Sequence, residues 1–178
     1  MLLLPSLAYG NQHRATSSAP QENTRANKEN TIVAPNGKIQ ITSPSGWATA
    51  TDLNEWAELQ ASDLGNEIFL IVLSDEKKKY DSSMTLDLHS KKTLGTLTKG
   101  MTSVTSTSGP TTLTVNGKSA LQYEVRGVTK GVDVVYLHTT VETPDNFHQV
   151  VTWTTKSTFD AKNAAIQNVI QSFKETGQ

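Results

Sequence analysis

The stretch VNGKSALQYEVRGVTKGVDVVYLHTTVETPDNFHQVVTWTTKSTFDAKNAAIQNVIQSF, residues 115–173, decides the fold. Asn116-Gly117 is the strongest hairpin signal in it, because both residues tolerate the positive φ angles of a type I′ turn. Two further turns follow, through Gly127 to Gly131 and through Thr143-Pro144-Asp145-Asn146, so the stretch reads as an antiparallel meander. If those turns set the register, Tyr123, Tyr136 and Trp153 lie opposite one another in one row, with Leu121, His138 and Val151 in the next. The opposite face carries Val135, Leu137, Val141 and Val150. Both faces are apolar, and both need cover.

The end of the same stretch supplies one cover. Ser157-x-x-Asp160 is a capping-box-like start, and Ile166, Val169, Ile170 and Phe173 make an i, i+3, i+4, i+7 stripe. Upstream, Leu86, Leu94, Leu97, Met101 and Val104 recur at spacings of 8, 3, 4 and 3, which predicts a second amphipathic helix. Thr85 is its expected N-cap and Asp87 sits in its favourable first turn, while Gly95 and Gly100 weaken it by up to about 1 kcal/mol each. The resulting fold class is α+β, a three-layer α-β-α sandwich with a mostly antiparallel central sheet.

Further upstream, Lys38 to Thr42 alternates and stops at Pro44-Ser45-Gly46-Trp47, a turn whose aromatic should plug the start of the core. Trp56 to Leu59 and Glu67 to Leu73 read as two strands joined by a turn around Asp63 to Asn66. The second is apolar at consecutive positions, as expected of a central strand covered on both faces. A charged loop, Asp75 to Asp81, follows.

At the start, Met1 to Leu7 is apolar and leads into the small-x-small triplet Ala8-Tyr9-Gly10, which reads as the tail of a secretory signal over residues 1–10. Residues 11–31 hold no apolar side chain but alanine, so they form an expected disordered polar spacer. One folded domain is expected over 32–178. No stretch approaches the ~20 apolar residues that cross a bilayer.

The 178 residues, 35% of them hydrophobic and 19% charged, suffice for one domain with its own core. With 16 Lys+Arg against 17 Asp+Glu the net charge is -1, and no basic field exists to hold nucleic acid. The absence of cysteine excludes disulfides, thiolate metal sites, Cys nucleophiles and an acylated lipoprotein Cys.

Gly37 to Ile41 running into Pro44-Ser45-Gly46-Trp47, the strand Ile68 to Leu73, Asn116 to Ala120 running into Tyr123-Glu124, and Ile170 to Phe173 together carry a resemblance. In this order the chain resembles the PsbP-like superfamily, which includes photosystem II extrinsic proteins, DcrB-type envelope lipoproteins and Ran-binding Mog proteins. The resemblance implies an α-β-α sandwich and a non-catalytic accessory or binding role. It carries over no site residue, since the matching positions are turn and core residues.

Candidate chemistry is sparse. His13 lies in the spacer and His89 in a helix, while His138 and His148 fall on opposite faces of neighbouring strands, so no metal centre is expected. The run Asp75-Glu76-Lys77-Lys78-Lys79-Tyr80-Asp81 is a candidate docking segment, with Lys77, Lys78, Lys79 and Tyr80 as its contacts. Arg126 and Asp133 are expected to face each other across a hairpin and orient the strands. No Gly-x-Ser-x-Gly elbow, Ser-x-x-Lys pair or glycine-rich phosphate loop is present, so no catalytic residue is assigned.

The expected function is that of an exported, soluble accessory or binding protein of the bacterial envelope or thylakoid-lumen type, located in periplasm, lumen or outside the cell. It acts through protein contacts without catalysis or cofactor. Its expected partner is an envelope or membrane-complex protein, with no nucleic acid, and the chain itself is expected to be monomeric. The alternative is a carrier of a small apolar ligand, lipid or pigment, held between sheet and helix with Tyr123, Tyr136 and Trp153 as the wall.

Overall fold

The computed structural model describes residues 29–177. The secretory remnant and the spacer as far as Lys28 lie outside the described residues. In chain order the elements are β1 (Asn30–Val33), β2 (Ile39–Ser43), β3 (Ala48–Thr49), β4 (Leu59–Asp63) and β5 (Ile68–Glu76), then a single 3-10 turn (Lys77–Lys79) and α1 (Leu86–Lys99). There follow β6 (Ser103–Val115), β7 (Lys118–Thr129), β8 (Val132–Glu142), β9 (Asn146–Thr155), α2 (Lys156–Gln171) and β10 (Lys174–Glu175). β1 thus begins at Asn30, two residues inside the stretch read as spacer.

A seven-stranded sheet in the order β3-β4-β5-β9-β8-β7-β6 is antiparallel at every pairing. A smaller antiparallel sheet, β1-β2-β10, shares a layer with α2. On that side Ile166, Val169, Ile170 and Phe173 pack with Ile39, Ile41 and Trp47 against Leu70, Val135, Leu137, Val141 and Val150. On the other side Leu97 of α1 and Leu53 of the β3–β4 loop cover Phe69, Ile71, Val125, Tyr136, Val151 and Trp153. The consecutive apolar residues of β5 are explained by this: Ile68, Leu70 and Val72 enter one core and Phe69 and Ile71 the other. The three-layer α+β sandwich is therefore present, with the small sheet as an unforeseen part of one outer layer.

Turn chemistry fixes the meander. Asn116 and Gly117 take φ of 47° and 75°, as a type I′ turn requires, and Lys130 and Gly131 take 51° and 81°. Because this second turn has only two residues, Thr129 pairs with Val132, and the β7–β8 register lies two residues from the expected one. Tyr123 is opposite His138, and Val125 takes the place expected for Tyr123 beside Tyr136 and Trp153. For the same reason Arg126 meets Val135 and not Asp133; its Nε lies 2.7 Å from Glu124 Oε1.

Four further expectations change at element ends. The strand read at Trp56 to Leu59 begins only at Leu59, because Gln60 Oε1 accepts from the Leu53 and Asn54 amides and folds the preceding chain into a loop. Leu53 is buried there, and Trp56 is left 74% exposed. α1 stops at Lys99, since the Gly100 amide closes the last turn and the Thr102 amide donates to Val128 O, drawing the chain into β6; Val104 is on the sheet, not the helix. Thr85 caps α1 as expected, accepting from the Leu88 amide. α2 is capped by Thr155, whose Oγ1 accepts from the Thr158 amide, and not by Ser157. β5 continues to Glu76, so only part of the charged run is loop.

β6 is the outermost strand and is exposed along most of its length. Its pairing with β7 is broken twice, between Val104 and Ser106 and between Ser108 and Thr111.

Candidate functional site

The antiparallel order brings the β6–β7 turn, the β8–β9 turn, the end of β5, the start of β2 and β10 to one end of the sheet. They enclose a cleft of about 850 Å³. Its apolar floor, Ile39, Val115, Val141 and Phe173, is almost wholly buried, and charged side chains of both signs border it, among them Glu58, Glu76, Asp145 and Glu175. The hairpin tip is pinned to the end of α2 by Asn116 Nδ2, which donates to Phe173 O at 2.8 Å.

At the inner wall stands His148, 2% exposed and opposite Ser74 in the β5–β9 register. Its Nδ1 is 2.8 Å from Ser74 Oγ and its Nε2 is 2.8 Å from Glu175 Oε1. With the carboxylate ionised, Nε2 donates to Glu175, and in the neutral ring that leaves Nδ1 as the acceptor for the Ser74 hydroxyl. Glu175 accepts also from Thr143 Oγ1 and Asn146 Nδ2, both at 3.1 Å. Burial, the largest single influence, pushes the Glu175 carboxyl up, but the donors His148, Asn146 and Thr143 together outweigh it and hold the group below its usual range. The line Ser74–His148–Glu175 has the residue types of a hydrolase triad with the two ring nitrogens exchanged. Its evident work is to fasten the two-residue β10 to the sheet.

Cations line the rim. Lys38, Lys79, Lys118 and Lys174 are all exposed and border the cleft. The candidate docking residues diverge here. Lys77 Nζ turns to the α1 side, 2.8 Å from Glu142 Oε1 and 4.9 Å from the centre of the Phe147 ring. Lys78 pairs with Glu76 at 2.8 Å, and Tyr80 sets its ring edgewise on His89, 5.6 Å between centroids, beneath Lys92. Only Lys79 borders the cleft. The Lys78 hydrogen bond and charge hold the Glu76 carboxyl low, with Lys79 and Lys38 adding smaller attractions.

On the opposite face lies a buried polar set beneath α1. His89 Nε2 is 3.0 Å from Asp75 Oδ2, which also accepts from Gln149 Nε2 at 3.1 Å, and Thr140 Oγ1 donates to Ser90 Oγ at 3.0 Å. The His89 hydrogen bond is the main reason the Asp75 carboxyl is held low. His138 is fully buried with neither ring nitrogen in a hydrogen bond, and burial pushes its pKa down to about 4. His138 and His148 do fall on opposite faces. Among the described residues no group of three His, Asp or Glu is placed to hold a metal ion, and no helix is long and apolar enough to cross a membrane.

The aromatic row is interior. Tyr123, Tyr136 and Trp153 are 5%, 1% and 2% exposed. Trp153 stacks between Phe69, at 5.5 Å, and Tyr136, at 5.9 Å. Sequence reading did not find Ser74, Glu175 or the rim lysines as a group, because they meet only through the β5–β9 register and the docking of β10.

No protein-family model matches the chain, and no curated protein matches it. Solved structures do. LpqN of Mycobacterium tuberculosis, described as involved in cell envelope biogenesis, is similar over 86% of this chain and 93% of its own, with TM-score 0.61 and 13% identity. Cyanobacterial PsbP from Synechocystis is similar over 89% and 98%, with TM-score 0.57 and 13% identity. The Ran-binding protein Mog1p of Saccharomyces cerevisiae is similar over 84% and 96%, with TM-score 0.53 and 14% identity. At such identities the likeness is one of fold: this chain shares its architecture with LpqN, cyanobacterial PsbP and Mog1p.

Proposed function

We propose that the protein is an exported, soluble accessory protein of an envelope or lumen compartment that works by binding another protein, without catalysis. The observation that carries this reading is the shared fold, over more than four-fifths of the chain, with an envelope-biogenesis protein, a cyanobacterial PsbP and a Ran-binding protein. Export draws its support from the leader-like Met1 to Gly10 and the polar segment behind it. The cleft, bordered by charged groups of both signs around a buried floor, suits contact with a protein surface. The carrier reading finds little to favour it, because Tyr136 and Trp153 already fill their own core.

Affinity capture from an envelope fraction, with mass spectrometry of the native N-terminus, tests both parts. The expected result is one saturably recovered envelope protein and a chain that starts beyond Gly10. Recovery from cytoplasm with Met1 intact would sink export, and co-purification of a stoichiometric lipid with no protein would sink the binding reading.

A further inference from the structure

We propose that the β3–β4 loop docks an arginine-bearing segment of a partner protein on Trp56; this rests on the reading of the chain as a protein-binding factor. Trp56 is 74% exposed, the most exposed large apolar side chain among the described residues. An aromatic side chain of this kind brings about 150–250 Å² of surface to a contact, and here most of it meets only solvent. The loop does not need the ring for its own packing, since Leu53 is buried in the α1-side core and Ala57 packs against that core while the indole stays outside. Nor is the loop loose. The Ala50 amide donates to Gln60 O at 2.9 Å, the Leu53 and Asn54 amides donate to Gln60 Oε1 at 2.8 and 3.0 Å, and the Trp56 amide donates to Asn54 Oδ1 at 2.8 Å. A ring presented from a fixed loop costs little further ordering when it is bound.

The charge of the loop selects the occupant. Asp52 and Glu55 are exposed, and their carboxylates make no ion pair or hydrogen bond among the described residues. Between Ile39 and Glu76 the chain holds no Lys, Arg or His. Glu58, at the end of the loop, accepts from Asn36 Nδ2 at 3.4 Å, a neutral donor that leaves it charged, but it borders the cleft together with Lys38 and Lys79 and is not counted here. A visitor to Trp56 therefore meets an open aromatic face and two uncompensated negative charges in one short loop. A guanidinium answers both, lying flat on the indole while its N–H groups reach carboxylates; an ammonium is a more strongly hydrated point charge and gains less from the ring. Anionic lipid headgroups are repelled by the same two carboxylates, so the ring is not read as a membrane anchor.

The test titrates the full chain with a blocked peptide of alternating Arg and Ser and follows amide and indole N–H chemical shifts. The Trp56 indole and the Asp52 and Glu55 amides should shift, the buried Trp47 and Trp153 indoles should not, and the shifts should weaken in high salt. Trp56→Ala should bind about tenfold more weakly and Asp52→Asn with Glu55→Gln about fivefold, each with a nearly unchanged melting temperature. Leu64→Ala, comparably exposed beyond the other end of β4, should bind like wild type, and a Lys-Ser peptide of equal charge should bind more weakly than the Arg-Ser one. Unchanged affinity in Trp56→Ala, or equal affinity for the two peptides, overturns the proposal. So does tighter Trp56-dependent binding of an oligosaccharide or of phosphatidylcholine vesicles than of the peptide. If an envelope protein is captured equally by wild type and Trp56→Ala, the binding function stands and the Trp56 site falls; if the peptide binds at Trp56 and no protein is captured, the arginine site stands and the protein-binding reading falls.

Discussion

His138 is enclosed between β8 and the α1 layer, and its surroundings set a pH dependence that can be measured. In the folded chain its pKa is about 4 against an ordinary 6.5, so between those values the unfolded chain binds the proton first. Stability therefore falls as pH drops through that window, by on the order of 3 kcal/mol at its lower end. Asp75 and Glu175, whose carboxyls are held low, add further losses only below their ordinary values of 3.8 and 4.5. Urea unfolding from pH 7 to 4 should show this slope in the wild type and a much flatter one in His138→Gln. The tryptophans make a second contrast. Trp47 is in the core while Trp56 lies on the surface, so Trp47→Ala should cost about 3–5 kcal/mol and Trp56→Ala within about 0.5. Equal thermal shifts for the two would contradict the loop conformation that Gln60 holds.

At the level of elements, α2 closes one core. Ile170 and Phe173 are almost fully buried, and truncating one to Ala costs about 2–5 kcal/mol. The double truncation should come close to exhausting a typical stability of about 5–15 kcal/mol. Lys162→Ala, on the exposed side of the helix, should change it by less than about 0.5. Calorimetry finding the double variant within a degree or two of wild type would remove α2 from the core. This helix was legible because its stripe is local, as were the turns, where Asn116-Gly117 names its own geometry. Element ends were less so: whether Trp56 or Leu59 opens a strand depends on Gln60 reaching back to two amides, and Val104 leaves α1 only because β7 is there to pair with it. The register at Tyr123 turned on whether the loop at Gly131 had two residues or more, a choice worth two residues of slippage but no change of face.

Across the whole molecule, one sheet separates two cores, and β5 and β8 contribute side chains to both. Loss of either layer should then bring down the other. Trp47 lies in one core and Trp153 in the other, so within each variant that keeps only one of them the urea transition followed by its fluorescence should coincide with that followed by far-ultraviolet circular dichroism. Separated midpoints would mean two independent units. The fold was accessible to sequence reading because periodicity and turns are local facts, whereas the cleft is assembled from five distant segments and Ser74, His148 and Glu175 are neighbours only in space. β6 has a last consequence. Thirteen residues of strand on the outside of a sheet are a template on which a second chain could lay itself, and repetition would make a fibre. The two interruptions, with Pro110 lacking an amide donor in the second, deny such a strand an unbroken ladder, so the protein carries in its own edge a safeguard against polymerising crosswise.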